Sequence, residues 1–362
     1  GPQPIRANPD VTSGGQDLNQ TINLLTNPAG ADTPGAAPIV ASSVKLCAPP
    51  QVAPNCTATT VTIPNVGTYS VSATGVMTFT PEPGFTGTPA PLPYTIADNY
   101  GVKASSTYTP TVVAGPDANP DTTTGGQGLP QTINLLTNPD GTDTAASGAT
   151  LVASSVKLCA PPEVAPNCTK TSVTITGVGT YSVDATGKMT FTPVAGFTGT
   201  PAPLAYTVTD SNGVKASSTY TPTVIAKPVA TADTTSGPQG VAQSIIVTDN
   251  DSAALGQELV TPSVTLSCPA ATPTCVRNAN GTVTITGQGT YSASAADGTV
   301  VFTPLPTFTG TAKPVVYTVK DDLDQSATST YTPTVIPAPV AVAAAPAAAA
   351  APAPVASNLI TI

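Results

Sequence analysis

The 362-residue sequence predicts an all-β chain of three tandem sandwich domains followed by an Ala/Pro-rich tail, and three observations carry this reading. The first is repetition. The strings YTPTVVA, YTPTVIA and YTPTVIP begin at Tyr108, Tyr220 and Tyr331, a period of 111 or 112 residues, so the repeat is the unit of folding. The second is alternation. Apolar or small residues recur at every other position, as in Tyr69 and Val71, Met77 and Phe79, Leu92, Tyr94 and Ile96, and Val102 through Tyr108, which is the period of a half-buried strand. The third is punctuation. Gly75, Gly84, Gly87 and Gly101 stand between these runs, and no stretch of a repeat carries a helical stripe.

Taken in order through the first repeat, strands are expected near 20–26, 41–47, 59–64, 67–73, 76–81, 92–97 and 102–113. Seven short strands in about 110 residues predict a two-sheet, immunoglobulin-like sandwich rather than a barrel. The boundaries fall at 1–115, 116–227 and 228–337, with the tail at 338–362. Of the ten Tyr and six Phe, all but Tyr100 occupy five equivalent places, Tyr69, Phe79, Phe85, Tyr94 and Tyr108 in the first repeat, and these mark the cores. Pro110, Pro222 and Pro333 lie in the last strand, which places that strand at a sheet edge or a bulge. The junctions AGPDANPD and AKPVATAD are short and hold proline, so successive domains should have limited freedom. At about 3.3 Å per residue a domain spans roughly 35 to 40 Å, and three in line would reach about 110 Å.

Composition narrows the function. Eleven Lys and Arg against twenty Asp and Glu leave a net charge of −9, and each third of the chain is acidic: three basic against five acidic residues in 1–115, five against seven in 116–227, three against eight in 228–362. No basic patch exists to bind nucleic acid. The chain is 40% hydrophobic and only 9% charged, unlike a disordered chain, so its solubility rests on Thr, Ser, Asn and Gln. The stretch from Val340 to Ala356 is too interrupted by proline to span a bilayer. The opening GPQPIRANPD lacks a signal peptide and matches the junction GPDANPD, so the chain reads as starting inside a linker.

Six cysteines arrive as one pair per repeat, Cys47 with Cys56, Cys159 with Cys168, and Cys268 with Cys275, and they read as three local disulfides. A zinc site would want four ligands, and the chain has no His. Disulfides imply an oxidising compartment and therefore export. Closing a loop of about ten residues contributes roughly 2 to 3 kcal/mol on a chain-entropy argument.

The run from Gly177 to Val224, with GTYS, TFTP, GFTGT, the YTVTDSNG turn and TYTPTV, resembles the CshA-type fibril repeat of bacterial surface adhesins. The motifs recur through about 335 of the 362 residues and drift in the third repeat, where TFTG at Thr307 and KDDLDQ at Lys320 replace GFTG and TDSNG. The resemblance implies a sandwich module strung into a cell-surface fibril, with adhesion carried by a separate domain. The cysteine pairs are an addition to that pattern, and the tail lacks an LPxTG-type anchoring motif, resembling instead a spacer before a sorting segment that SNLITI at Ser357 would begin.

Catalysis finds little support, since without His there is no imidazole base and the acids repeat at what read as surface turns. Calcium is the sharper alternative. Asp98, Asp210 and the cluster Asp321, Asp322 and Asp324 share one equivalent turn, and Asp10, Asp121 and Asp233 share one domain start, places from which cadherin-like repeats collect oxygen ligands. The plainer reading makes the same residues turn formers that bond their own backbone. Lys45 and Lys157 read as solvent-facing neighbours of buried Val44 and Val156, because Thr265 at the third equivalent place leaves an isopeptide crosslink without a counterpart. The function expected is therefore a non-enzymatic, stiff, extracellular stalk whose partners are neighbouring repeats or copies of itself. The alternatives are a filament joined head-to-tail through Leu359–Ile362 as a donor strand, and a calcium-rigidified adhesin repeat.

Overall fold

A computed structural model describes residues 4–341, so the expectations placed on 342–362, including the tail-mediated filament, lie outside the described residues. The chain falls into two compact units, Gly1–Ile225 with the first two repeats and Ala226–Ile362 with the third. Each repeat is a sandwich of two sheets. In the first repeat the strands are β1 (Asp10–Gly15), β2 (Gln20–Asn23), β3 (Lys45–Leu46), β4 (Thr60–Ile63), β5 (Gly67–Val71), β6 (Val76–Pro81), β7 (Leu92–Ala97) and β8 (Lys103–Val113). One sheet runs β1-β8-β7-β3 and the other β2-β6-β5-β4. The second repeat reproduces both orders, and the third adds the short strands Cys275–Arg277 and Gly310–Thr311. Among the described residues no helix is long and apolar enough to cross a membrane.

Alternation places Tyr69, Phe79, Tyr94 and Tyr108 in the core, each at most 1% exposed. Tyr69 lies between Phe79, 4.8 Å away, and Tyr108, in an edge-to-face contact at 6.0 Å, and this arrangement recurs at Tyr181 and Tyr291. Val44 and Val156 are buried, with Lys45 and Lys157 half-exposed beside them. The fifth aromatic place departs from expectation. Phe85, Phe197 and Phe308 are only partly buried and pack against the rim of each core from a turn between strands.

Sequence pattern missed β1, since DVTSGG has little alternation. It is defined by its partner, pairing parallel to β8 from Asp10 opposite Tyr108 to Gly15 opposite Val113. Of the two settings expected for the proline-bearing last strand, a sheet edge or a bulge, the edge is excluded. β8 lies inside its sheet, between β1 and β7. Pro110 is tolerated because even-numbered residues of β8 point their backbone groups toward β7, and β7 begins only at Leu92, opposite Tyr108. Pairing on that side resumes at Val112, whose N–H donates to Gly87 O at 2.9 Å. The missing donor therefore falls where the neighbouring chain has bulged away. The expected strand 41–47 is likewise interrupted, by a short 3₁₀ turn at Ala41–Ser43. Ser43 Oγ donates to Val40 O at 2.5 Å and accepts from Ala97 N at 2.8 Å, replacing ladder bonds at this bulge. Ser155 and Ser263 accept from Thr209 and Lys320 in the same way.

The parallel pairing of first and last strands has a consequence for serial connection. Because β1 and β8 run the same way, the chain reaches a repeat at its leading end and leaves at the opposite, trailing end. Both other repeats share the arrangement.

Candidate functional site

The polar residues of each repeat converge on the leading end, where the incoming chain meets a buried tyrosine. The hydroxyl of Tyr94, on β7, lies 2.8 Å from Asp10 Oδ2, 3.0 Å from Asp32 Oδ2 and 3.0 Å from Asn8 O. Asp32 Oδ1 accepts from Asn8 N at 2.8 Å, and Asn27 donates to Asp10 at 3.2 Å. In the second repeat Tyr206 meets Asp143 at 2.7 Å and Asp121 at 3.0 Å, with Asn119 N donating to Asp143 at 2.8 Å. The third replaces Asn8 with Thr231 and Asp32 with Asp251, which Tyr317 meets at 2.8 Å. Each cluster holds the arriving backbone against the domain, beside the two-residue bridges Arg6–Thr33, Asp117–Thr144 and Val229–Ser252.

Burial sets the electrostatics. Asp10 and Asp121 are each 1% exposed, which corrects the expectation that the acids lie at surface turns. Loss of water pushes Asp32, Asp121 and Asp233 up to about 6, against the hydrogen bonds that oppose the shift, and raises Asp10 and Asp143 as well. The phenols of Tyr94, Tyr206 and Tyr317 are pushed far above their ordinary range by burial and by the adjoining carboxylates. One phenolic proton cannot serve two carboxylates, so the pair is fully satisfied only when one acid is protonated and donates back. In the third repeat Asp233 Oδ2 is buried without a hydrogen-bond partner. Asp32, Asp143 and Asp251 escaped the sequence reading, although they recur a few residues behind the turns TNPAG, TNPDG and VTDN.

The turn aspartates do different work. Asp98 Oδ1 accepts from Tyr100 N at 2.9 Å and Val102 N at 3.0 Å, and Asp210 and Asp321 bond their own turns alike. Asp324 is exposed and pairs with Lys320 at 3.1 Å, while Asp322 N donates to Glu258 O. Asp98, Asp210 and Asp321 thus take the amides of their own turns as partners, whereas Asp10 and Asp121 take the buried tyrosines and asparagines. Among the described residues no three His, Cys, Asp or Glu side chains gather in a way that could hold a metal ion. The cysteines form the disulfides Cys47–Cys56, Cys159–Cys168 and Cys268–Cys275, the first two within the loop that follows β3 and its counterpart, the third joining that loop to the strand Cys275–Arg277 of the other sheet.

A second polar chain runs along the first strand of each repeat, beside the tyrosine and aspartate cluster. Tyr108 Oη lies 2.6 Å from Thr12 Oγ1, which donates to Gln20, whose amide donates to Thr111 O at 2.9 Å. Tyr220 and Tyr331 repeat it. At the trailing end of the first repeat, Gln16 Oε1 accepts from Gly115 N at 2.9 Å and fixes the outgoing chain. There the second repeat docks through Val214, which is 7% exposed. A Cβ on Gly15 would lie 2.2 Å from Val214 Cγ2, and one on Gly115 would lie 2.7 Å from Cγ1, so both places require glycine.

Three self-contained sandwiches, each clamping its incoming chain and two of them packed end to end, define a structural tandem-repeat protein. The chain belongs to the family described as the surface adhesin CshA repetitive domain, which matches residues 2–112, 114–224 and 225–335. Among curated proteins none matches. Solved structures similar to the chain include an I-band fragment of titin, at 10% identity and TM-score 0.29, covering 93% of this chain and 99% of that one. A protocadherin gamma B7 fragment of cadherin domains 1–4 has 12% identity and TM-score 0.27 over 92% and 76% of the two chains. A mouse cadherin-23 fragment has 11% identity and TM-score 0.26 over 91% and 96%.

Proposed function

We propose that this chain is a non-enzymatic stalk segment of a bacterial extracellular fibril, whose repeats set the reach and stiffness of a surface structure. The observation that carries the reading is the joint between the first two repeats. Residues 115–121 are bonded at one end to Gln16 and at the other to Tyr206 and Asp143, and Val214 fills the space between the domains. A linker held along its length transmits force without bending freely. The disulfides fit an exported protein, and membership in a family of surface adhesin repeats supports the location.

The stiffness proposed is independent of calcium, since Asp10 and Asp121 are engaged by tyrosines and asparagines, and Asp98, Asp210 and Asp321 accept from the amides of their own turns. Electron microscopy of the purified chain, with and without chelator, tests both parts. Straight rods that gain about 35 to 40 Å per repeat are expected in either condition. Collapsed or freely jointed particles would overturn the stalk, and rods that soften only with chelator would restore the calcium-rigidified alternative. Long filaments would instead make the chain a polymer subunit.

A further inference from the structure

The turn that docks the second repeat exists in the first repeat as well, and there it is uncovered. Asp98–Val102 and Asp210–Val214 have the same geometry, each built on an aspartate that accepts from the second and fourth N–H beyond it. Both lie at the leading end, ahead of the last strand. Val214 is 7% exposed in its socket of Gly15, Leu18 and Gly115, whereas Val102 is 53% exposed. Beside it stands Tyr100, 79% exposed, in place of Asn212. It is the sole aromatic residue outside the core pattern. An apolar wedge of known shape, with its counterpart's partner visible in the same molecule, identifies what covers it.

We infer that Tyr100 and Val102 form a docking surface for the trailing end of another repeat of this family, one carrying glycine, leucine and glycine at the places of Gly15, Leu18 and Gly115, joined directly upstream. The inference rests on the stalk reading and gives it a direction. At the trailing end of the third repeat the equivalent residues are Pro238, Val241 and Ala338, the last donating to Gln239 as Gly115 does to Gln16. Proline and alanine carry the Cβ atoms that the socket excludes, so that end does not offer the same seat to a second copy. The array extends through this wedge from its first repeat.

Thiol protection tests the inference in the full chain. Val102→Cys is labelled in the chain as it stands and in a version with residues 4–115 added ahead of Ile5, which sets the added Gly115 where Pro4 was. The added repeat should slow labelling at least about tenfold. Gly15→Val or Leu18→Asp, placed only in the added repeat, should restore it, and circular dichroism checks that each variant folds. Val214→Cys in the unextended chain is the reference and should already be protected. Free labelling of Val214→Cys would break the joint and with it the stalk reading. A protected Val214→Cys beside an unprotected Val102→Cys in the extended chain would overturn this inference alone. Protection of Val102→Cys that grows with concentration in the unextended chain would also overturn it, by showing the occupant to be a second copy in trans.

Discussion

Tyr94 and Tyr206 each join the incoming chain to the core through two carboxyls, Tyr317 does so through Asp251, and the residue-scale predictions follow from these contacts. Replacing Tyr94 with Phe removes the one donor between Asp10 and Asp32 and should cost about 1 to 3 kcal/mol. Chemical denaturation of the variant checks this, and an unchanged midpoint would show the hydroxyl to be idle. The pH dependence has a definite sign. Asp32, Asp121 and Asp233 are raised to about 6 in the fold, so the native state holds protons that the unfolded chain releases. This contribution is complete below the ordinary aspartate value of about 4 and is lost as the pH rises through about 6. Calorimetry at pH 5 and pH 7.5 should therefore give the higher melting temperature at pH 5, and the reverse order would contradict the buried-acid account. None of this was legible in the sequence at Asp32. A lone Asp in a polar turn looks the same whether water or a tyrosine 62 residues away receives it.

At the scale of the element, alternation and turn residues located β2, β4, β5, β6, β7 and β8 because the side chains themselves record which face is buried. β1 carries no such record, and its ladder with β8 supplies what its own side chains lack. The same distinction separates two phenylalanines that sequence placed together. Phe79→Ala should cost about 3 to 5 kcal/mol, as for a fully buried ring, whereas Phe85→Ala at the rim should cost about 1 to 2 kcal/mol. Equal losses in urea titrations would return Phe85 to the core. The disulfide loop is local, so replacing Cys47 and Cys56 by Ser should lower stability by roughly 2 to 3 kcal/mol while the far-ultraviolet spectrum stays native. A variant that failed to fold would give the bridge a larger part than its short loop implies.

For the whole molecule, serial connection begins inside each repeat. A first strand parallel to the last sends the chain out at the end opposite its arrival, which lets modules follow one another without a return loop. Chelation should leave the melting temperature unchanged, since Asp10 and Asp121 at the domain starts are held by Tyr and Asn donors, and a fall of several degrees on adding chelator would assign the domain-start aspartates to calcium. Sequence alone determined the number of repeats, the all-β class, the cysteine pairing and most of the core, because periodicity, even counts and alternation are written in neighbouring residues. Tertiary structure alone decided which acids are buried and paired, why Pro110 fits an interior strand, and how Val214 finds Gly15 and Gly115. Each of those depends on atoms brought together from distant positions in the chain, and a side chain's chemistry does not announce the neighbour that will fix its environment.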